Sequence, residues 1–232
     1  MPAEDADGKA VAPIVDIDEN ICDFHGICAV ICPFSAIKIS INGDEELPAV
    51  KMNVFPTLVR DIEVDTQRCE AGCKRCEETC PINIISVNET GGKPDVDIKK
   101  DLCAGCRVCH MECPTGAVEV RKFIEGNIAI DSENCPDGCK RCLDVCPVDA
   151  LEIGEDKKVF AKEMFCIYCG ACVEVCPAED ALYVERTAIK HTPIDSGAWH
   201  KGLELVTSAK AMMRELAAEK TDKIRKAVAN LQ

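Results

Sequence analysis

Nineteen of the 232 residues are cysteine, and all of them fall into five clumps, each closed by Cys-Pro. The clumps are Cys22, Cys28 and Cys32; Cys69, Cys73, Cys76 and Cys80; Cys103, Cys106, Cys109 and Cys113; Cys135, Cys139, Cys142 and Cys146; and Cys166, Cys169, Cys172 and Cys176. Pro33, Pro81, Pro114, Pro147 and Pro177 follow them. Thiols gathered this densely need a common partner, so whatever engages the sulfurs dictates the fold.

The third and fifth clumps read C-x2-C-x2-C-x3-C-P, the spacing that surrounds 4Fe-4S clusters. Three thiolates on one tight loop grip three irons of a cubane. The fourth cannot reach back, and it ligates the cluster of a neighbouring unit. The proline after it has no N–H, which suits the first turn of a helix, so the fourth cysteine is expected to start one. The second and fourth clumps open with C-x3-C and keep the other spacings.

The first clump departs further, as Cys22-x2-His25-x2-Cys28-x3-Cys32. A histidine stands where the second cysteine belongs. Three readings stay open: His25 ligates iron, which raises the potential as in Rieske centres; the remaining thiolates hold a 3Fe-4S cluster; or no cluster forms and His25 is solvated. All nineteen cysteines and His25 are therefore candidate ligands, for four 4Fe-4S clusters and a fifth centre. Disulfides would need an oxidising compartment, and the acidic start Met1-Pro2-Ala3-Glu4-Asp5 has no apolar signal region. Zinc commonly takes two separated C-x2-C knuckles rather than four cysteines in one run.

Each clump lies in one copy of a unit of about 31 to 47 residues. Before the cysteines come β-like segments: Ile14-Val15-Asp16-Ile17-Asp18, Ile62-Glu63-Val64-Asp65, Val96-Asp97-Ile98, Ile128-Ala129-Ile130-Asp131 and Val159-Phe160-Ala161. After Cys-Pro come alternating segments: Ala36-Ile37-Lys38-Ile39, Ile84-Ile85-Ser86-Val87, Ala117-Val118-Glu119-Val120, Ala150-Leu151-Glu152-Ile153 and Ala181-Leu182-Tyr183-Val184. Alternation predicts strands with one buried face. Gly26, Gly72, Gly105, Gly138 and Gly170 lie beside the second ligand position, where backbone must approach cluster sulfides closely.

Two units make one ferredoxin-like domain that exchanges fourth ligands. Units two and four share Gly-Cys-Lys-Arg-Cys, while three and five share C-x2-C, which favours pairing two with three and four with five. Pairing one with two and three with four would instead account for Cys32. The expected class is α+β, tandem ferredoxin-like domains with a C-terminal helical tail. The expected segments are 1–61, a single modified unit with linker; 62–125 and 126–192, two-cluster domains; and 193–232, the tail.

Aromatic residues make up 4 % of the chain, with one Trp, so clusters are expected to supply folding energy that a thin apolar core cannot. The formal charge of −14 becomes more negative with loaded clusters, by roughly two charges each. Such a surface argues against nucleic acid and anionic lipid. No apolar run approaches the ~18 residues of a membrane span, and a cytoplasmic location is expected. No phosphate-binding glycine loop occurs, and His110, His191 and His200 form no spaced constellation, so no active site of the chain's own is expected. His110 is expected to pack near its cluster. From Ser196, a plausible N-cap, Trp199, Leu203, Val206, Met213, Leu216, Ile224 and Val228 recur at helical spacing, with a break near Glu219-Lys220-Thr221-Asp222. This tail either packs back on the domains or docks a partner.

The five Cys-Pro units, the Glu-Thr-Cys-Pro and Asp-Val-Cys-Pro closures, the segment Val184-Glu185-Arg186-Thr187-Ala188-Ile189-Lys190-His191-Thr192 and the helical tail together resemble the polyferredoxins of methanogenic archaea. Within them the chain is most similar to the iron-sulfur F subunits of formylmethanofuran dehydrogenase. The resemblance implies a non-catalytic wire of 4Fe-4S clusters in an anaerobe. Its partners would be the catalytic and electron-donating subunits of a multi-subunit redox complex, with a tungsten or molybdenum centre elsewhere. A polyferredoxin of a hydrogenase or heterodisulfide reductase is the alternative within the class; a cysteine-rich zinc protein is the alternative outside it.

Overall fold

The computed structural model describes residues 4–11, 17, 18, 20, 22, 24–40, 42, 43, 45, 47–215 and 217. Its strands are β1 (Ile62–Val64), β2 (Ile85–Thr90), β3 (Lys93–Ile98), β4 (Val118–Val120), β5 (Ile124–Ile130), β6 (Leu151–Ile153), β7 (Val159–Ala161) and β8 (Leu182–Ile189). Its helices are α1 (Ile27–Ile31), α2 (Pro48–Lys51), α3 (Arg75–Glu78), α4 (Val108–Glu112), α5 (Arg141–Asp144), α6 (Ala171–Glu174) and α7 (Gly197–Thr207).

The strands form four two-stranded antiparallel sheets among the described residues. β1 pairs with β4, Ile62 opposite Val120 and Val64 opposite Val118, which ties the start of unit two to the end of unit three. Between them β2 and β3 form a hairpin whose loop is Gly91-Gly92, both at positive φ, as a two-residue turn that matches strand twist requires. Units four and five repeat the plan: β5 pairs with β8, and β6 with β7. The β5–β8 ladder slips at Glu125/Gly126, where a Cβ on Gly126 would come within 2.1 Å of the Glu185 carbonyl oxygen. This topology joins two with three and four with five. Among the described residues no strand of unit one pairs with unit two and none of unit three with unit four.

Apolar strand positions meet cysteines in the cores. In the first half Ile62, Ile85, Val87, Val118 and Val120 pack with Cys76, Cys80, Cys103 and Cys109. In the second, Leu151, Val159 and Leu182 pack with Cys135, Cys142 and Cys172. A further core joins the halves, setting Ala104, Cys106, Phe123 and Ile124 against Val148, Ala150, Cys166, Ile167 and Tyr168. Only Arg121–Phe123 separate β4 from β5, and Phe123 is 2 % exposed, so the two halves are joined by a packed corner rather than a free linker.

Two expectations change. Each helical turn lies before its Cys-Pro, carrying the cysteine at the third ligand position of its clump (Cys28, Cys76, Cys109, Cys142, Cys172), rather than after it. Cys32 and Cys113 are extended C-caps, and proline just past a helix end stops it because it can offer no N–H. Ala36–Ile39 forms no strand, and a lone alternating segment gains nothing from extension without a ladder partner. Its expected neighbour 14–16 lies outside the described residues.

The described part of the tail follows the first of its two readings and packs back. Ser196 caps α7, its hydroxyl accepting from the Trp199 N–H at 3.3 Å. Trp199 is 0 % exposed; its ring lies 6.0 Å from that of Phe55, and its Nε1–H donates to His191 Nε2 at 3.0 Å. His191 carries its own proton on Nδ1, which donates to the Thr192 carbonyl at 2.8 Å. Gly202 admits Ile27, whose Cδ1 would lie 2.0 Å from a Cβ there. Residues 197–207 thus belong to the core as its seal over unit one. The helix is interrupted at Ser208, while the expected break at 219–222 and Leu216, Ile224 and Val228 lie outside the described residues. Trp199→Ala is expected to loosen this seal by about 3–5 kcal/mol, the cost of emptying a large buried aromatic site. Amide hydrogen exchange across 197–207 measures it; unchanged protection would contradict the packing.

Candidate iron-sulfur sites

The ligand loops of units one, three and five have one backbone design. Two residues after the first cysteine the chain turns to positive φ at Phe24 (55°), Gly105 (73°) and Tyr168 (53°), and it does so again two residues later at Gly26 (86°), Arg107 (68°) and Gly170 (85°). These reversals bend backbone N–H groups toward the sulfurs. Phe24 N–H donates to Cys22 Sγ and Tyr168 N–H to Cys166 Sγ, both at 3.4 Å. The cysteines at the fourth ligand position are met the same way, by Ala36 on Cys32 (3.4 Å), Ala117 on Cys113 (3.2 Å) and Ala150 on Cys146 (3.3 Å). The longer loops of units two and four turn at Gly72 (75°) and Gly138 (69°).

Strand pairing then interleaves the clumps. Cys80 of unit two shares a cavity with Cys103, Cys106 and Cys109 of unit three, walled by Ile62, Ile84 and Val120. Cys146 joins Cys166, Cys169 and Cys172, and Cys176 joins Cys135, Cys139 and Cys142. Cys113 lies close enough to Cys69 that its charge, with that of Cys73, adds to burial in raising the Cys69 thiol. Each of the three cavities takes three sulfurs from one unit and the fourth from its partner, and Cys113 stands toward the clump of unit two in the same sense.

Burial pushes the Cys106 and Cys142 thiols up to about 11 and those of Cys109 and Cys172 up to about 12, with neighbouring thiolates adding to it. Such sulfurs become thiolates only where nearby positive charge replaces their protons, as iron does. At Cys113 burial also acts upward, but hydrogen bonds from Val118, Thr115 and Ala117 outweigh it and hold that thiol below its ordinary value. The residues fit 4Fe-4S clusters in a further respect: Arg107 Nε, in the residue that lines the Cys80/Cys103/Cys106/Cys109 cavity, is buried with no hydrogen-bond partner.

His25 takes the loop position that Cys106 and Cys169 hold in units three and five, and its ring meets Phe55 edge-on at 6.2 Å. Cys32, the C-cap of α1, lies toward the two halves. Its charge is felt by both Arg60 and Arg186. Arg60 donates from Nε to the Cys103 carbonyl (3.0 Å) and from Nη2 to Ser35 Oγ (3.1 Å); Arg186 donates to the carbonyls of Tyr168 (2.8 Å) and Cys169 (3.2 Å). Unit one therefore sits over the junction between the two halves. His110 packs beside its loop, where its Nδ1 accepts from the Val120 N–H at 3.3 Å; His191 holds Trp199, and His200 is exposed. Sequence reasoning missed Arg60, Arg107 and Arg186. Only Arg107 had a signal, since aligning the loops sets it against Gly26 and Gly170.

Residues 68–117 and 122–180 each match the 4Fe-4S dicluster domain. Comparison with curated proteins gave no match. Among solved structures the chain is similar to one from the formate dehydrogenase, heterodisulfide reductase and formylmethanofuran dehydrogenase complex of Methanospirillum hungatei. Identity is 30 % and the TM-score 0.76, covering 83 % of this chain and 71 % of that one. No helix of the described residues is long and apolar enough to cross a membrane. Identity at this level across most of both chains reaches beyond a common fold, and the chain belongs to the archaeal polyferredoxin family as an iron-sulfur electron-transfer subunit carrying 4Fe-4S clusters.

Proposed function

We propose that the chain relays low-potential electrons singly through four 4Fe-4S clusters and a fifth centre, inside a multi-subunit complex that includes formylmethanofuran dehydrogenase. The observation that carries this reading is the interleaving of the clumps into quartets, since exchanged fourth ligands are how two-cluster ferredoxins hold their centres close together. The ligand sets are Cys69, Cys73, Cys76 and Cys113; Cys80, Cys103, Cys106 and Cys109; Cys135, Cys139, Cys142 and Cys176; and Cys146, Cys166, Cys169 and Cys172. Cys22, His25, Cys28 and Cys32 serve the fifth centre.

When bound, each cluster supplies a one-electron carrier. The chain's residues do the rest: thiolates hold, backbone N–H groups donate to sulfur, and isoleucine and valine walls exclude water. The apolar contact of the Cys106 and Cys166 loops carries the path from one half to the other. Its partners are the catalytic and electron-donating subunits, and its location is the cytoplasm of an anaerobe. The relative's complex also contains heterodisulfide reductase, which favours, as the second reading, a wire leading from that enzyme.

Anoxic purification tests the proposal. About twenty iron and twenty sulfide per chain are expected if unit one is loaded, and about sixteen of each if it is not. Co-purifying chains, identified by mass spectrometry, are expected to include a tungsten or molybdenum formylmethanofuran dehydrogenase subunit. A colourless chain with stoichiometric zinc would overturn the reading.

A further inference from the structure

The inner ligand loops of the two halves share one backbone design and are each braced by an arginine, and the difference that bears on charge lies one residue past the second ligand. Arg60 braces the loop of unit three through the Cys103 carbonyl, and Arg186 braces that of unit five through the carbonyls of Tyr168 and Cys169. The position one past the second ligand differs: unit five has Gly170, as unit one has Gly26, whereas unit three has Arg107 in the same left-handed conformation at φ 68°. A side chain adopts that backbone only under strain that the surroundings must hold in place. What Arg107 brings in return is a guanidinium against the cavity of Cys80, Cys103, Cys106 and Cys109, with its Nε sealed from solvent and without an acceptor. A buried N–H left unpaired is destabilising, and the groups that can satisfy it in that cavity are sulfurs.

We propose that Arg107 tunes this one cluster: its Nε–H donates to a cluster sulfur and raises the reduction potential, so that this centre holds an electron before the equivalent centre of the second half does. This rests on the ligand sets proposed above. The charge balance is simple. One electron arrives from a neighbouring 4Fe-4S centre, which is thereby oxidised; no proton moves, and the added negative charge is met by the guanidinium. Hydrogen bonds to cluster sulfurs are among the factors that set such potentials. Other cations share the site. Arg60 lies 5.1 Å over the Phe123 ring, and Lys122 is within electrostatic range of Cys106, Cys166 and Arg107. Asp101 partly balances Arg60, and Glu163 partly balances Lys122. Lys122 reaches ligands of both loops, whereas Arg107 is a cationic side chain that the loop of unit three carries and that of unit five lacks.

Redox-titrated EPR of the full chain, purified without oxygen, tests this. Arg107→Gly removes the donor and suits the left-handed backbone. It should leave iron and sulfide unchanged and lower one midpoint by a roughly tenfold change in the reduction equilibrium, about 59 mV for one electron. The other signals should not move. Cys106→Ser identifies the affected signal, and Arg107→Gln, neutral but similar in reach, should shift it in the same direction. A midpoint that stays or rises in both variants overturns the inference. Loss of the centre in both overturns it too, because the side chain would then hold the cluster rather than tune it. The ligand reading fails separately, if the unmodified chain lacks the iron or if Cys106→Ser leaves every signal untouched.

Discussion

Stripping iron from the purified chain with a chelator is expected to unfold both halves, with loss of visible absorbance and of circular dichroism following one time course. The reason lies in what fills the cores. Cysteine supplies four of the ten buried residues of the first core and three of the six in the second. β1, β4, β6 and β7 have three residues each, and isolated two-stranded sheets of that length are marginal in water. Structural metal in small domains contributes about 10–16 kcal/mol, as measured for zinc, while whole domains are stable by only about 5–15 kcal/mol. Removing one cluster from a half therefore removes an amount comparable with its entire stability. Freed thiols add to the loss: with Cys109 and Cys172 pushed up to about 12 by burial, the folded apo chain holds protons that an unfolded one sheds above pH 9 or so. A raised folded value contributes stability below the unfolded pKa and forfeits it above, so the metal-free chain should weaken further as pH climbs from about 9 toward 12. Native-like dichroism in a fully bleached sample would show that the apolar residues suffice alone.

Much of this was legible in the cysteine spacing because ligand geometry is local. Three sulfurs on one tight loop must close on one cluster, and the exchanged fourth follows from what the loop cannot reach. β-like flanks such as Ile62–Val64 and Val159–Ala161 were legible because alternation is a two-residue signal that survives in very short strands. The tail was harder. An amphipathic face records that something apolar covers it, and the cover proved to be Phe55 and Ile27, far away in sequence. Arg60 and Arg186 were invisible for the same reason, since what they brace is backbone of distant loops. Ala36–Ile39 went the other way: its pattern is that of a strand, yet pairing decides whether a strand exists. Arg107 broke the local rule for a left-handed position, and the exception marked a residue directed at the site rather than at the fold.

Cys80→Ala is expected to damage the centre bound by Cys103, Cys106 and Cys109 rather than the one in its own clump, and Cys113→Ala the centre bound by Cys69, Cys73 and Cys76. Each variant should lose about four iron if its cubane is released, or about one if a 3Fe-4S core remains. The assignment uses spectra rather than totals: the EPR signal altered by Cys80→Ala should be the one altered by Cys106→Ser, and that of Cys113→Ala the one altered by Cys73→Ala. If Cys80→Ala and Cys73→Ala disturb the same signal, each clump keeps its own cluster and the interleaving is wrong. The crossed outcome has a structural consequence as well. Cys80 and Cys113 each tie one unit to its partner's cluster while β1 and β4 tie the same units through Ile62, Val64, Val118 and Val120. Losing one crossed thiolate should therefore loosen the β1–β4 ladder in the same variant, visible as faster amide exchange at residues 62–64 and 118–120. An unexchanged ligand, lying within its own loop, would leave that ladder untouched.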